Sequence, residues 1–390
     1  MDFRRIGSLP PYAFAEVNRR KAEVISAGID VVDLGFGNPD LPSPDVAVQT
    51  LIEEVSHPWN HRYSVSRGVD DLRSALAGRY QRRFGVDLDP DTEIIATIGA
   101  KEGLAHLLWV LLQQGDVAIV PEPSYPIHIY APVIAGAEVR RAPVSSEEDY
   151  FEVVSRMFQS SWPRPRVIIV SFPHNPTTKT VDLDFFERLV GFARENEVVV
   201  VHDFAYADIS FDGYRPPSIM QVRGASEVAV ELYSLTKGHS MAGWRVGFVS
   251  GNSEIVAALG KLKSYLDYGT FQPIQLAAAR ALESGDEFVE QVCEVYRTRR
   301  DALVDGLADF GWKVDRPIGT MFVWAEVPGP YADIGSLDFS IHLLENAGVA
   351  VSPGVGFGAS GEGFVRFALV DEVARIDQAT QRIAEALDRL

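Results

Sequence analysis

Four apolar, β-branched runs in this chain end in residues that can do chemistry. The run at 167 to 172 leads into Pro173-His174-Asn175-Pro176, and the run at 198 to 202 ends at Asp203 with Tyr206 close behind. The run at 228 to 233 is followed by Ser234-Leu235-Thr236-Lys237, and the run at 93 to 98 by Gly99-Ala100-Lys101-Glu102. Ligands of an open parallel sheet bind beyond the carboxyl ends of its strands, so these are the positions where a site is expected. Gly99 precedes what reads as a helix start, where unpaired N–H groups and the positive dipole end can hold a phosphate. Taken singly, each residue has an ordinary explanation. Lys237 reads as a solvated lysine, Asp203 as a strand terminator and Asn175-Pro176 as a turn starter. Tyr63 and Tyr125 read as half-buried packing residues, and Arg245 and Arg366 as partners of surface carboxylates. Their joint occurrence is what asks for one explanation.

The elements that must position these groups follow from the apolar pattern. Short apolar runs recur at 93 to 98, 117 to 122, 138 to 143, 167 to 172, 198 to 203, 228 to 234 and 246 to 250, with helical or loop-length segments between them. Runs such as VIIV and VVVV are apolar at every position, as in strands covered by helices on both faces, so the pattern predicts an α/β fold around a parallel sheet. Between Ala100 and Gln114, Leu104, Leu107, Leu108, Leu111 and Leu112 make one apolar helical stripe, with Gly115 as its stop. After about Gln275 the rhythm changes to a long helical stretch, then strand-like TMFVWAEVP, then a last helix from Glu372 to Leu390. The expected organisation is a large domain over 41 to 275, a smaller domain over 276 to 390, and an N-terminal arm over 1 to 40 that joins the smaller one.

Composition bounds the function. A chain of 390 residues suits two domains, because single cores stop growing at roughly 250 to 300 residues. With 46% hydrophobic and 23% charged residues and a mean hydropathy of +0.01, it reads as a soluble globular protein. A net charge of -18 disfavours nucleic acid or an anionic membrane as partner, since both require clustered Lys and Arg. One cysteine, Cys293, leaves no internal disulfide and no Cys-based zinc site, which suits a reducing cytoplasm. No apolar run of signal-peptide or membrane-spanning length is present. His57 and His61 have i, i+4 spacing, but Pro58 between them opposes a helical metal pair, and no metal is expected.

The ordered set Gly37-Asn38-Pro39, Tyr63, Gly99-Ala100-Lys101, Tyr125, Asn175-Pro176, Asp203 with Tyr206, Ser234 with Lys237, Arg245 and Arg366 resembles fold-type I pyridoxal-phosphate enzymes of the class I/II aminotransferase superfamily. The resemblance spans nearly the whole chain. TIGAKEGLAHL, PSYPIHIY, HDFAYADI, KGHSMAGWRVGF and VSPGVGFG are most similar to bacterial alanine (glutamate-pyruvate) aminotransferases and to LL-diaminopimelate aminotransferases. It implies a large domain with a mostly parallel seven-stranded sheet between helices, a smaller α+β domain, pyridoxal 5'-phosphate as cofactor, and a homodimer with shared sites. It implies Lys237 as the Schiff-base lysine and Cα base, and Asp203 as the acid that keeps the pyridine nitrogen protonated. Asn175 and Tyr206 would bond the cofactor's phenolic oxygen. Ala100 and Lys101 amides, the Ser234 hydroxyl and Arg245 would hold the phosphate, joined by Tyr63 from the neighbouring subunit. Tyr125 would stack on the ring, Arg366 would grip the substrate α-carboxylate, and Gly37 would let the substrate approach the backbone.

The resemblance leaves the substrate open between alanine with glutamate and LL-diaminopimelate, aspartate or methionine, and a C–S lyase uses the same lysine and acid. Dicarboxylate-preferring relatives of one subgroup place a second arginine after the phosphate-binding one, whereas no arginine lies between Arg245 and Arg280 here. Alanine and glutamate are therefore the expected donors, with pyruvate and 2-oxoglutarate as acceptors. Gly35-Phe36-Gly37 and Gly354-Val355-Gly356 do not complete a dinucleotide-binding fingerprint between a strand and a helix. A non-catalytic regulator carrying this fold would need a DNA-binding domain ahead of it, where only about forty residues precede the first large-domain elements, and the chain is acidic. Many relatives carry Gly after Asn-Pro-Thr where this chain has Thr178, so a changed loop is expected there.

Overall fold

All seven apolar runs pair into one sheet. The computed structural model describes residues 14–144 and 148–387, together with Gly7 and Leu9. Its strands are β1 (Val32–Asp33), β2 (Ile94–Thr97), β3 (Val117–Glu122), β4 (Glu138–Pro143), β5 (Val167–Val170), β6 (Val199–Asp203), β7 (Ala229–Ser234), β8 (Gly247–Gly251), β9 (Phe322–Glu326), β10 (Val349–Ala350), β11 (Ser352–Pro353) and β12 (Phe364–Ala368). The large sheet has the order β2-β8-β7-β6-β5-β3-β4. β8 runs antiparallel to both its neighbours, and the other six strands share one direction. β3, β5 and β7 are buried along their whole length, as expected of strands with a helical layer on each face.

One of those layers is the helix Ala100–Leu111. Leu104, Leu107 and Leu108 pack with Ile95, Val120, Ile169 and Val249 against the sheet. The helix stops before the expected Gln114, because Leu112 already has extended backbone; Gly115, at φ +92°, makes the turn that follows. The opposite face of the sheet buries Leu76 and Tyr80 of the helix Asp70–Phe84, and Phe186 and Leu189 of the helix Leu183–Asn196.

The expected long helical stretch is two helices, Gln272–Glu283 and Glu287–Ala308, parted at Gly285 with φ +91°. The first of them crosses residue 275, and its Ala277, Ala278, Ala281 and Leu282 pack into the core under the large sheet. A second core gathers Tyr296, Leu303 and Leu307 with Phe322, Phe339, Phe367 and Ile376 around the antiparallel sheet β11-β12-β9. The N-terminal segment joins that core: β1 pairs with β10, and Val32 and Leu34 are fully buried in it. Among the described residues no helix is long and apolar enough to cross a membrane.

Candidate active site

Because six strands of the large sheet run one way, their carboxyl ends fall along one edge. Asp203 and Ser234 are the last residues of β6 and β7, and Lys237 lies in the turn just beyond β7. β8 enters the sheet at that same edge, since it is antiparallel, which brings Arg245 to it from just before Gly247. Arg366 comes from the middle of β12 in the smaller sheet. These groups line a cavity of about 500 Å³, together with Gly37, Ala100, Lys101, Tyr125, Asn175 and Tyr206. Of the twelve expected site residues only Tyr63 does not line it. Tyr63 is 84% exposed and tilts against Tyr268 with ring centroids 4.5 Å apart.

Lys237 reaches across the cavity, and its Nζ donates to the Gly37 carbonyl at 2.7 Å. Burial, reinforced by the guanidinium groups of Arg366 and Arg245, lowers its amine to about 7. Near neutral pH a large fraction of this amine is therefore neutral, the state in which it can act as a nucleophile or accept a proton. Gly37 has a further reason to be glycine: a Cβ there would lie 2.5 Å from Phe322 Cε1. The ring already present requires it.

Asp203 does not stand alone. Its Oδ2 is 2.7 Å from His128 Nε2, while His128 Nδ1 is 2.8 Å from Ser124 Oγ. His128 is 1% exposed and Ser124 is fully buried, so the imidazole is fixed between a hydroxyl and a carboxylate. Within PSYPIHIY, His128 is a functional residue that the motif's resemblance does not single out. The available signal was its i, i+3 relation to Tyr125 at the start of the helix Pro126–Ala135. Burial holds the Tyr206 phenol well above its ordinary value, and burial together with the Asp203 carboxylate raises that of Tyr125.

Asn175 Oδ1 accepts from Arg366 Nη1 at 2.7 Å, which leaves its amide NH₂ to donate elsewhere. The Arg366 guanidinium lies 3.9 Å from the centroid of the Phe322 ring and 4.6 Å from that of Phe357. Planar rings on a planar cation hold the fork in one orientation, a restraint that lysine would not obey.

The same cavity holds an anion cradle. Ala100 and Lys101 begin the twelve-residue helix Ala100–Leu111, so their N–H groups have no partner within it. A Cβ on Gly99 would sit 2.1 Å from Arg245 Nη2, so glycine is what allows the guanidinium to lie against the helix start. Ser234, at the end of β7, adds a hydroxyl. An amine, a braced carboxylate and an anion cradle in one cavity suit a phosphorylated pyridine aldehyde.

Beside the site, Thr178 has φ +59°, with its N–H on the His174 carbonyl at 2.8 Å. The left-handed turn that glycine adopts without strain is thus formed with threonine in it.

The sequence pattern of the family described as "Aminotransferase class I and II" matches residues 29–383. Glutamate-pyruvate aminotransferase AlaC of Escherichia coli (strain K12) is 49% identical over 381 residues, covering 98% of this chain and 92% of that protein. LL-diaminopimelate aminotransferase of Desulforudis audaxviator (strain MP104C) is 42% identical over 390 residues, covering 100% of this chain and 99% of that one. A single mutant of Thermus thermophilus aspartate aminotransferase has the same fold, with a TM-score of 0.92 at 30% identity over 99% of this chain and 100% of that one. Aminotransferases of this kind use pyridoxal 5'-phosphate. By its pattern over most of its length and by its relatives, this chain belongs to the class I and II aminotransferases, transferases of fold type I.

Proposed function

We propose that this chain moves an amino group between alanine and 2-oxoglutarate, and between glutamate and pyruvate in reverse. The observation that carries the reading is Lys237: a half-buried amine, lowered to about 7, in one cavity with a braced carboxylate and an arginine set over two aromatic rings. When bound, pyridoxal phosphate supplies an aldehyde and a protonated ring that takes up electrons from the substrate Cα. Lys237 would hold the cofactor by its amine and, as a neutral amine, would be the base that takes the proton from the substrate Cα. Asp203, fixed by His128, keeps the ring nitrogen protonated. Tyr206 and the Asn175 amide would donate to the phenolic oxygen, and Tyr125 would pack on the ring. Ala100, Lys101, Ser234 and Arg245 take the phosphate. Arg366 takes the α-carboxylate as a fork, and Gly37 gives the substrate room beside the backbone.

The 49% identity to a glutamate-pyruvate aminotransferase supports alanine as donor. A second reading, LL-diaminopimelate, is supported by the 42% identity to the Desulforudis enzyme. The exposure of Tyr63, Trp59, Tyr265 and Tyr268 supports a homodimer in which Tyr63 reaches the partner's phosphate site. We divide the chain into a cofactor-holding domain and a smaller one carrying Arg366 and the N-terminal arm, and assign it to the cytoplasm on its single cysteine.

The test adds alanine, glutamate, aspartate, methionine and LL-diaminopimelate separately to the yellow holoenzyme and follows loss of the yellow absorbance. Alanine and glutamate should react. A specificity constant for another donor more than about tenfold above alanine's, a gap of about 1.4 kcal/mol, overturns the substrate assignment. Sodium borohydride should fix the cofactor on the peptide containing Lys237; an adduct on Lys101 or Lys179 overturns the site.

A further inference from the structure

One wall of the cavity has no role in the reading above. Phe14, Val17, Asn18 and Lys21 line it at i, i+3, i+4 and i+7, a single face of the helix Phe14–Ser26. Phe14 is seated edge-on against Phe357 with centroids 5.2 Å apart, and a Cβ on Gly356 would lie 2.8 Å from its ring. The helix is thus docked where substrate must fit.

We propose that Lys21 binds the distal carboxylate of the five-carbon diacid substrates, so that this helix reads the substrate side chain. The inference rests on the aminotransferase reading of the same cavity. Lys21 Nζ donates to Asp33 Oδ2 at 2.6 Å, Asp33 Oδ1 accepts from Gly35 N–H at 3.0 Å, and the Gly35 carbonyl accepts from Arg366 Nη2 at 3.2 Å. The stretch Asp33 to Gly35 therefore carries Arg366 at one end and Lys21 at the other. An ammonium has three donors, and among the described residues Asp33 takes one, so two remain for a ligand. With the α-carboxylate on Arg366, a second carboxylate meets a cation that Asp33 holds in place. Glutamate and 2-oxoglutarate have that second carboxylate; alanine and pyruvate do not. Lys101 also lines the cavity, but it begins the helix Ala100–Leu111 and lies over the Tyr125 ring at 5.6 Å, beside the cradle assigned to phosphate.

The alternative is that the Lys21–Asp33 pair only ties the helix to β1, and ratios separate the two. Glutarate and pentanoate, unreactive acids of equal length, are titrated into the holoenzyme by cofactor absorbance, and glutamate and alanine are compared as donors. Wild type should bind glutarate at least about tenfold tighter than pentanoate, the size of one hydrogen bond between charged groups. Lys21→Met should erase most of that preference and lower the glutamate-to-alanine ratio of kcat/KM by about tenfold or more, while Lys21→Arg keeps both ratios within about threefold. Equal preference for the two acids in wild type, or ratios unchanged in Lys21→Met whatever the absolute rates, overturns the proposal. Neither result touches the alanine assignment, which stands or falls with the alanine half-reaction of wild type.

Discussion

Removing the Lys237 amine should stabilise the cofactor-free protein, and by more as the pH falls. The folded structure lowers this amine from 10.5 to about 7, chiefly by burial and then by the Arg366 and Arg245 charges. Unfolded, the amine is solvated and keeps its ordinary value. Between those two values the unfolded chain holds a proton that the folded chain has released, so wild-type stability rises with pH through this window. At about 1.4 kcal/mol per pKa unit, the burden of the buried amine is about 4 kcal/mol at pH 7 and about 2 kcal/mol at pH 9. Lys237→Met keeps an unbranched side chain one atom shorter and discards the charge, and also loses the bond to the Gly37 carbonyl, about 1 kcal/mol with little pH dependence. The variant should therefore gain on wild type by about 2 kcal/mol between pH 9 and pH 7. Urea unfolding of both cofactor-free proteins across that range measures the difference, in which groups titrating alike in both cancel. A stability gap that stays constant with pH would refute the argument, because it would mean that Lys237 keeps an ordinary amine in the fold.

Asp203→Asn should retain the cofactor yet lose most turnover, since an amide cannot hold a ring nitrogen protonated; near-normal kcat in a fully loaded variant would place Asp203 elsewhere. Tyr63→Phe should release cofactor more readily on dilution or dialysis, and sedimentation should find a dimer at working concentration. An active monomer would rule out the shared site. Thr178→Gly should raise stability by about 0.5 to 1 kcal/mol, because relief of a left-handed β-branched residue exceeds the added freedom of the unfolded chain. Urea midpoints report it, and a clear loss of stability would show that the threonine side chain contributes more than its backbone strain removes.

Much of the fold was legible because burial on both faces is a local signature. VIIV and VVVV can be little else than covered strands, and all seven runs that carry this signature, or its weaker edge-strand form at 138 to 143, pair in the large sheet. The helix Gly335–Ala347 and the short strands β10, β11 and β12 went unread. Strands of two residues carry no alternation, and β12 is defined by its partners β9 and β11. At Thr178 the sequence replaces a glycine that many relatives are expected to carry, and the backbone there is left-handed, with hydrogen bonds from Thr178 N–H to the His174 carbonyl and from His174 N–H to the Lys179 carbonyl closing the turn.

Residue types and their places at strand ends were determined by the sequence alone, since a polar group following a buried strand emerges at a sheet edge wherever that strand lies. Strand order and direction were not. Only the assembled sheet turns β8 around and so brings Arg245 to the edge shared by Asp203, Ser234 and Lys237. His128 meets Asp203 from 75 residues away, Arg366 meets Asn175 from 191, and Arg366 touches the Gly35 carbonyl from 331. Contacts of that separation are chosen by how two cores pack together and not by any local preference of the chain. The sequence therefore supplied the amine, the acid and the two arginines, whereas tertiary packing aimed them into one cavity, seated the Phe14–Ser26 helix beside it, and buried Lys237 deeply enough to release its proton near neutral pH.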